Sequence, residues 1–127
     1  MSGMLFYRLG ARGFLHWGYN YWRKMEREDI GDPFTDASNA LWPDIPYGDP
    51  FVIYPGANGQ PMDSIRWEVF AESLQDYVIL QTAGVKPQDA LLTDIKSYAN
   101  FPKNEEWLRR TLEKALKTQK PAAREPD

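Results

Sequence analysis

The sequence predicts an α/β fold that forms one portion of a larger architecture. Two short runs, GFLHWGYNYW and FVIYPG, have the apolar, β-branched and aromatic character of strands. Three later segments carry helical spacing or helix-capping residues. The order is helix, strand, long loop, strand and three helices. Because two strands cannot make a closed sheet, this pattern indicates the final part of something larger.

Composition excludes several classes of function. The 127 residues allow one domain at most, and 43% hydrophobic with 26% charged residues is ordinary globular composition. A net charge of −3 without a Lys/Arg cluster argues against nucleic acid as a partner. Without Cys, and with His16 as the single histidine, no disulfide and no Cys- or His-based zinc centre can form. Carboxylate sites for calcium remain possible, but the sequence has no DxDxDG-like loop to supply one. We therefore expect no metal and no cofactor.

Membrane features are also lacking in the sequence. No apolar run approaches the roughly 20 residues that span a bilayer. The first residues carry neither the charged region nor the long apolar region of a signal peptide. We expect no membrane partner and no export signal in this chain, and the sequence leaves the cellular compartment open.

The first half of the chain reads as a helix, a strand and a long loop. The run from Met4 to Gly10 resembles the last turns of an apolar helix, with Gly10 suited to close it. Residues 14–22 have no helical stripe, which predicts a strand buried on both faces. Residues 23–50 contain four prolines and no lasting periodicity, which predicts a loop of the length that is usually functional or disordered.

The second half reads as a strand and three helices. Residues 51–56 predict a strand that stops at Pro55-Gly56, followed by a turn over 57–63. Ser64 is a good N-cap for a helix that ends at Gly84, and further helices are predicted over 87–99 and 104–117. The face of the first of these helices that we expect to be buried consists of Ile65, Val69, Phe70, Leu74, Tyr77 and Val78.

The aromatic residues of the first strand suggest a carbohydrate ligand. A sugar ring packs its C–H face on an aromatic plane while nearby polar groups hold its hydroxyls. The end of this strand offers both kinds of contact, and it precedes the long loop, at the position where α/β barrels build their sites. The alternative is that every ring is core. The residues concerned are Trp17, Tyr19, Asn20, Tyr21 and Trp22.

Candidates for catalysis are weak. His16 lies between apolar neighbours, which is more typical of a hydrogen-bonded core residue than of a general base. Two acidic pairs, Glu28-Asp29 and Glu105-Glu106, lie in a charged loop and in the first turn of a helix, and neither follows a strand. Asp32, Asp44 and Asp49 are ordinary turn acids. Arg66 is close enough to the preceding strand to reach a loop carboxylate or a ligand oxygen.

Four segments together resemble a known family. GFLHWGYNYW, the DPF of residues 32–34, FVIYPG and PMDSIRWEVFAESLQDYVIL resemble the C-terminal end of the glycoside hydrolase family 123 catalytic domain. The resemblance covers Leu9 to Leu80, about two thirds of the chain. Phe34 stands where the family pattern has Trp.

The resemblance implies a (β/α)8 TIM-type barrel. The chain would be its C-terminal portion, about two strands plus three helices, incomplete on its own, with residues 1–119 as the barrel segment and residues 120–127 as a disordered tail. Enzymes of this family remove β-linked N-acetylgalactosamine, and an adjacent Asp-Glu pair assists the substrate's own acetamido group. This sequence contains no Asp-Glu dipeptide. We therefore expect no catalytic residue here and an N-terminal barrel portion upstream of Met1 as a partner.

Under this resemblance, the strand rings would line a sugar subsite, Tyr54 would end the last strand at the same rim, and Arg66 would brace that rim. Three hypotheses remain: a piece of a split or truncated glycosidase, a non-catalytic carbohydrate-binding module, or a structural remnant that binds nothing. The residues expected to bind substrate are Trp17, Tyr19, Asn20, Tyr21, Trp22, Tyr54 and Arg66.

Overall fold

The computed structural model describes residues 1–23, 31–35 and 48–118. The chain divides into two compact units: unit 1 comprises Met1–Gly13 and Phe70–Asp127, and unit 2 comprises Phe14–Val69. Three α-helices and two β-strands are present in the described part of the chain. The acidic pair at residues 28–29, most of the long loop and the 120–127 tail lie outside the described residues.

Unit 1 contains residues of three helices, and each helix has local sequence signals at its ends. Helix α1 (Ser2–Leu9) ends at Gly10, whose left-handed φ of 70° lets its N–H reach the last carbonyls. Helix α2 (Ile65–Thr82) contributes its residues from Phe70 onward. Helix α3 (Glu105–Lys117) begins after Asn104, whose side chain accepts the Trp107 N–H at 2.7 Å. The predicted first and last helices are confirmed.

The core of unit 1 lies where these helices meet. Gly3 permits a close approach, because a Cβ at this position would lie 1.7 Å from the carbonyl oxygen of Ser73 in α2. The Tyr7 hydroxyl donates to the Val85 carbonyl and so ties α1 to the segment after α2. The buried hydrophobic residues of this core are Met4, Leu5, Leu80, Val85, Leu92, Ile95 and Ala115.

The predicted helix over 87–99 is wrong. This segment forms one 3₁₀ turn, Ala90–Leu92, and the Asp89 side chain caps it by accepting the Leu91 N–H at 2.8 Å. The N–H groups of Lys96 and Ser97 then bond to the Asn100 carbonyl instead of continuing a helix. Polar residues with short side chains compete for backbone hydrogen bonds in this way, which prevents a longer helix.

The predicted buried face of α2 is also wrong in part. The helix is buried at Ser73, Asp76 and Leu80, whereas Ile65, Val69, Leu74 and Val78 are exposed. The reason is that α2 is apolar on more than one side, so periodicity alone does not select the core face.

The carboxylate of Asp76 in α2 is buried. Burial raises the pKa of the Asp76 carboxyl, and the Met1 ammonium at 3.3 Å opposes that shift without cancelling it.

A β-hairpin forms the ordered centre of unit 2. Strand β1 (Ile53–Pro55) pairs antiparallel with β2 (Pro61–Asp63), and Tyr54 lies opposite Met62. The turn between them contains Asn58 and Gly59, both with positive φ, which is the dipeptide that tight hairpin turns prefer. The strand expected over 51–56 is confirmed at its centre. The turn predicted over 57–63 is wrong in its last residues, because these form the second strand, β2.

The predicted strand over residues 14–22 is wrong. Its single bridge is Asn20 to Phe51, and most of its side chains are exposed, including Leu15 at 87%. A strand is defined by a bonded neighbour, and in the described residues this segment meets one only near its C-terminal end. The segment is therefore not a strand in the described part of the chain, and it is not buried on both faces.

The described elements constitute a partial mixed α/β architecture, which agrees with the predicted fold class at that level. No helix in the described part of the chain is long and apolar enough to cross a bilayer.

Candidate functional site

Exposed aromatic rings characterise the aromatic segment, residues 14–22. Trp17, Tyr19 and Tyr21 are 47%, 45% and 38% exposed. The Trp17 and Tyr21 rings lie 6.0 Å apart, and the Tyr19 ring packs edge-on against Trp67 at 5.9 Å. Each ring thus has an aromatic neighbour while keeping a large surface in solvent. Such a cluster of exposed rings is uncommon unless it is an interaction site.

A carboxylate anchors Trp17. The Trp17 Nε1–H donates to Asp49 Oδ2 at 2.8 Å, and His16 Nε2 lies 3.6 Å from Asp49 Oδ1. His16 Nδ1 accepts the Gly18 N–H at 3.2 Å, which places the proton of the neutral imidazole on Nε2, facing Asp49. His16 is therefore hydrogen-bonded, as expected, although it is not in a core. The Nδ1 lone pair, which a general base would need, is thus used by the Gly18 N–H, while the Asp49 carboxylate orients the Trp17 indole.

Backbone contacts fix the end of the aromatic segment on residues 50–53. The Tyr19 carbonyl accepts the N–H groups of Val52 and Ile53 at 2.9 and 3.2 Å. The half-buried Trp22 donates its indole N–H to the Ile53 carbonyl at 3.1 Å. Asn20 is exposed beside these contacts. Trp22 consequently braces the backbone, whereas Trp17, Tyr19 and Tyr21 present surface to solvent.

A second feature of unit 2 is a cleft of about 350 Å³, here called the Tyr54 cleft. The Phe34 and Tyr54 rings lie 5.1 Å apart with an interplanar angle of 40°. Tyr54 also contacts the fully buried Phe51, at 6.1 Å, which limits its movement. The residues that line the cleft are Pro33, Phe34, Tyr54, Met62, Asp63, Ser64, Ile65 and Arg66.

Arg66 is held against the backbone at the edge of this cleft. Its Nη1 lies 3.4 Å from both the Phe51 carbonyl and the Tyr54 hydroxyl. Gly48 provides the space, because a Cβ there would lie 2.0 Å from Arg66 Nη2. Ser64 begins α2 as expected, since its Oγ accepts the Trp67 N–H at 3.2 Å and donates to the Val52 carbonyl.

Three described carboxylates of unit 2 have assigned places in the structure. Asp32 accepts the Phe34 N–H at 2.9 Å and the Thr35 hydroxyl at 3.0 Å, which is the turn chemistry expected for it. Asp49 holds Trp17, and Asp63 lines the Tyr54 cleft. Among the described residues, no group of three or more His, Cys, Asp or Glu side chains could hold a metal ion.

The structure separates the expected substrate-binding residues into two places. Trp17, Tyr19, Asn20 and Tyr21 belong to the aromatic segment, and none of them lines the Tyr54 cleft. Tyr54 and Arg66 belong to the cleft. Trp22 supports the backbone between the two.

Sequence reasoning missed several residues of these two places, four of which matter most for the geometry. They are Asp49 as the partner of Trp17, Trp67 as the partner of Tyr19, and Met62 and Asp63 in the cleft. The Asn58-Gly59 dipeptide is the signal that could have revealed the hairpin that brings Met62 to Tyr54.

Comparison with protein families agrees with a carbohydrate-active class. Residues 1–83 match the model of the glycoside hydrolase 123 catalytic domain, so the protein is glycoside hydrolase-like. The chain belongs to the glycoside hydrolase 123 catalytic domain family, as the resemblance of its segments implied. A search of curated proteins gives no significant match.

Proposed function

We propose that this chain is the sugar-binding part of a glycoside hydrolase that acts on glycans with β-linked N-acetylgalactosamine, and that it has no catalytic activity alone. Family membership supports the glycoside hydrolase class. The substrate follows from the family resemblance, and the sequence has no Asp-Glu dipeptide to serve as the expected pair. The catalytic acids then come from a segment outside these 127 residues.

The observation that carries the proposal is an exposed indole whose orientation is fixed. Trp17 is 47% exposed and its Nε1–H is bonded to Asp49, so one ring is held in place while part of its surface faces solvent. Tyr19, Asn20 and Tyr21 add exposed groups within the same few residues. Preorganised aromatic surface with nearby hydrogen-bonding groups is what a pyranose ring requires.

Binding is tested by titrating the full chain with N-acetylgalactosamine in ligand-observed NMR. Tyr19→Ala should weaken binding about three- to tenfold, since one aromatic contact contributes on the order of 1 kcal/mol. Tyr98→Ala is the matched control, because Tyr98 is 56% exposed in unit 1 and should leave binding unchanged. Equal affinities of both variants and the wild type, or no binding by the wild type, would refute the proposal.

Catalysis is tested with a chromogenic β-N-acetylgalactosaminide. We expect no hydrolysis by this chain alone. Turnover that disappears when a residue of this chain is substituted would show that the catalytic acids lie within it, and this part of the proposal would then be wrong.

A second role is favoured by the apolar start of the aromatic segment. Phe14 and Leu15 are 54% and 87% exposed, and neither side chain has a polar group that could contact a sugar hydroxyl. We propose that they pack against the remainder of the barrel when it is present. Co-expression with an N-terminal barrel segment of a family member should give a complex that Leu15→Asp weakens.

A further inference from the structure

We propose that the Asn58-Gly59 dipeptide in the hairpin turn is a site of spontaneous covalent modification, at which the asparagine is converted into aspartate and isoaspartate. The inference goes beyond the proposed function, because neither residue belongs to the aromatic segment or lines the Tyr54 cleft. The folded turn restrains the reaction, so the modified residue accumulates at a rate set by how often the hairpin opens.

The reaction involves the Asn58 side chain and the next backbone nitrogen, with water as the only co-reactant. The Gly59 nitrogen attacks Cγ of Asn58, an N–C bond forms, and the side-chain nitrogen leaves as ammonia with the proton that the backbone nitrogen loses. The product is a five-membered succinimide ring. Water then adds to one of the two ring carbonyls and breaks its C–N bond, which gives an aspartyl or an isoaspartyl residue. No atom is oxidised or reduced.

The surroundings of Gly59 leave the attacking nitrogen accessible. Glycine has no Cβ to crowd the nitrogen, and beyond the adjoining residues no heavy atom lies within 4 Å of the place that a Cβ would take. Asn58 and Gly59 are both exposed, so water and base reach the dipeptide. Asparagine is among the thermally labile residues, and these two features favour its reaction at this position.

Three other asparagines in the described part of the chain provide internal references. All three are exposed, as Asn58 is, but each is followed by a residue whose Cβ shields the backbone nitrogen. Exposure alone therefore does not distinguish Asn58, whereas the glycine after it does. The three references are Asn20, Asn100 and Asn104.

The conformation of the folded turn opposes ring closure. Asn58 has φ of 56° and ψ of 29°, which lies in the left-handed region. At this ψ the Gly59 nitrogen points away from Cβ of Asn58, so the backbone must rotate before Cγ can reach the nitrogen. Two hydrogen bonds resist that rotation, from the Gly56 N–H to the Gln60 carbonyl at 2.8 Å and from the Gln60 N–H to the Ala57 carbonyl at 3.2 Å. The reaction thus requires local opening of the turn.

An isoaspartyl residue would make the opening permanent. Its main chain runs through Cβ and Cγ, so the turn gains one backbone atom, and a carboxylate replaces the amide. Turn length fixes the register of a hairpin, and here it sets Tyr54 opposite Met62. Strands β1 and β2 have three residues each, and so short a pair depends on its turn.

Peptide mapping by mass spectrometry measures the conversion in the full chain. The protein is incubated at mildly alkaline pH, in buffer and in urea, and the peptides with Asn58 and with the three references are quantified. We expect Asn58 to react faster than the references in both solutions. It should react about tenfold faster in urea than in buffer, which corresponds to about 1.4 kcal/mol for opening the turn.

Two variants separate the chemistry from the fold. Gly59→Ala should slow the conversion of Asn58 severalfold in urea, where the strain of the turn no longer matters, and leave the three references unchanged. Asn58→Asp carries the charge of the product without the extra backbone atom. Limited proteolysis should therefore cut the hairpin of isoaspartyl-containing protein faster than that of Asn58→Asp.

Each alternative result overturns a stated step. Conversion of Asn58 no faster than that of the references, or no conversion at all, overturns the modification site. Equal rates in buffer and urea show that the turn does not restrain the reaction, and an unchanged rate in Gly59→Ala overturns the role of the open nitrogen. The sugar titrations test the proposed function separately, so its failure and the failure of this inference are distinguishable.

Discussion

Gly48→Ala tests whether the position of Arg66 depends on the missing side chain of Gly48. Gly48 has φ of 75°, and a Cβ there would lie 2.0 Å from Arg66 Nη2. A non-glycine residue in the left-handed region costs about 1–2 kcal/mol. The guanidinium must also move away, which breaks its contacts with the Phe51 carbonyl and the Tyr54 hydroxyl.

The contribution of the lost contacts is small and can be isolated. At 3.4 Å both hydrogen bonds are long, so together they contribute about 1 kcal/mol. Gly48→Ala should therefore lower the free energy of unfolding by about 2–3 kcal/mol. Gly59→Ala is the matched control, since Gly59 has φ of 74° and nothing within 4 Å of its added Cβ. Gly59→Ala should lower the free energy of unfolding by about 1–2 kcal/mol, because backbone strain is then the only cost.

Urea unfolding followed by far-UV circular dichroism measures both variants, alone and combined with Arg66→Ala. The difference between the two glycine variants should disappear when Arg66 is absent, because no side chain then needs to move. Equal losses for Gly48→Ala and Gly59→Ala in the wild-type background would refute the reasoning. So would a difference that persists without Arg66, which would place the clash elsewhere.

Three further predictions concern unit 1. Gly3→Ala should lower the free energy of unfolding by about 1–3 kcal/mol, because the added methyl meets the Ser73 carbonyl. Gly13→Ala is the control: there is open space around its Cβ, so the free energy of unfolding should change by less than about 0.5 kcal/mol. Urea unfolding measures both variants. Asn104→Ala should cost about 1 kcal/mol and lower the helical signal, as α3 loses its N-cap; an unchanged signal would contradict this. Burial raises the folded-state pKa of Asp76 above its ordinary value of 3.8, so the carboxyl supports folding below that pH and loses this contribution as the pH rises through the folded pKa. Asp76→Asn should therefore stabilise the protein at pH 7 and lose that advantage in acid, and a pH-independent difference would refute the assignment.

Sequence predicted those features of the fold that local chemistry determines. Gly10 closes α1 and Asn104 caps α3, because a helix end depends on residues within one turn. The predicted strand over 14–22 was wrong for the opposite reason, since a strand depends on a distant bonded neighbour, and in the described residues this segment bonds to residues 50–53 near its C-terminal end alone. The predicted helix over 87–99 was wrong because, after one 3₁₀ turn, the N–H groups of Lys96 and Ser97 bond to the Asn100 carbonyl.

The sequence predicted which aromatic residues belong to the candidate site, but it did not predict the hydrogen bonds that orient them. Ring density alone pointed to Trp17, Tyr19 and Tyr21, and these three are exposed. The bond between Trp17 and Asp49 joins residues 32 positions apart, and no spacing rule in one sequence indicates such a pair. Asp49 therefore read as a turn acid, although its carboxylate orients the indole.

The engagement of the Trp17 N–H by Asp49 limits what this residue can distinguish. Its single donor is used within the protein, so the indole offers a ligand only its π-surface. A flat π-surface accepts any pyranose with enough C–H groups on one side, whatever the configuration of its hydroxyls. Trp17 would then act as a general platform for hexoses, and discrimination among epimers would fall to neighbouring polar groups such as the Asn20 amide.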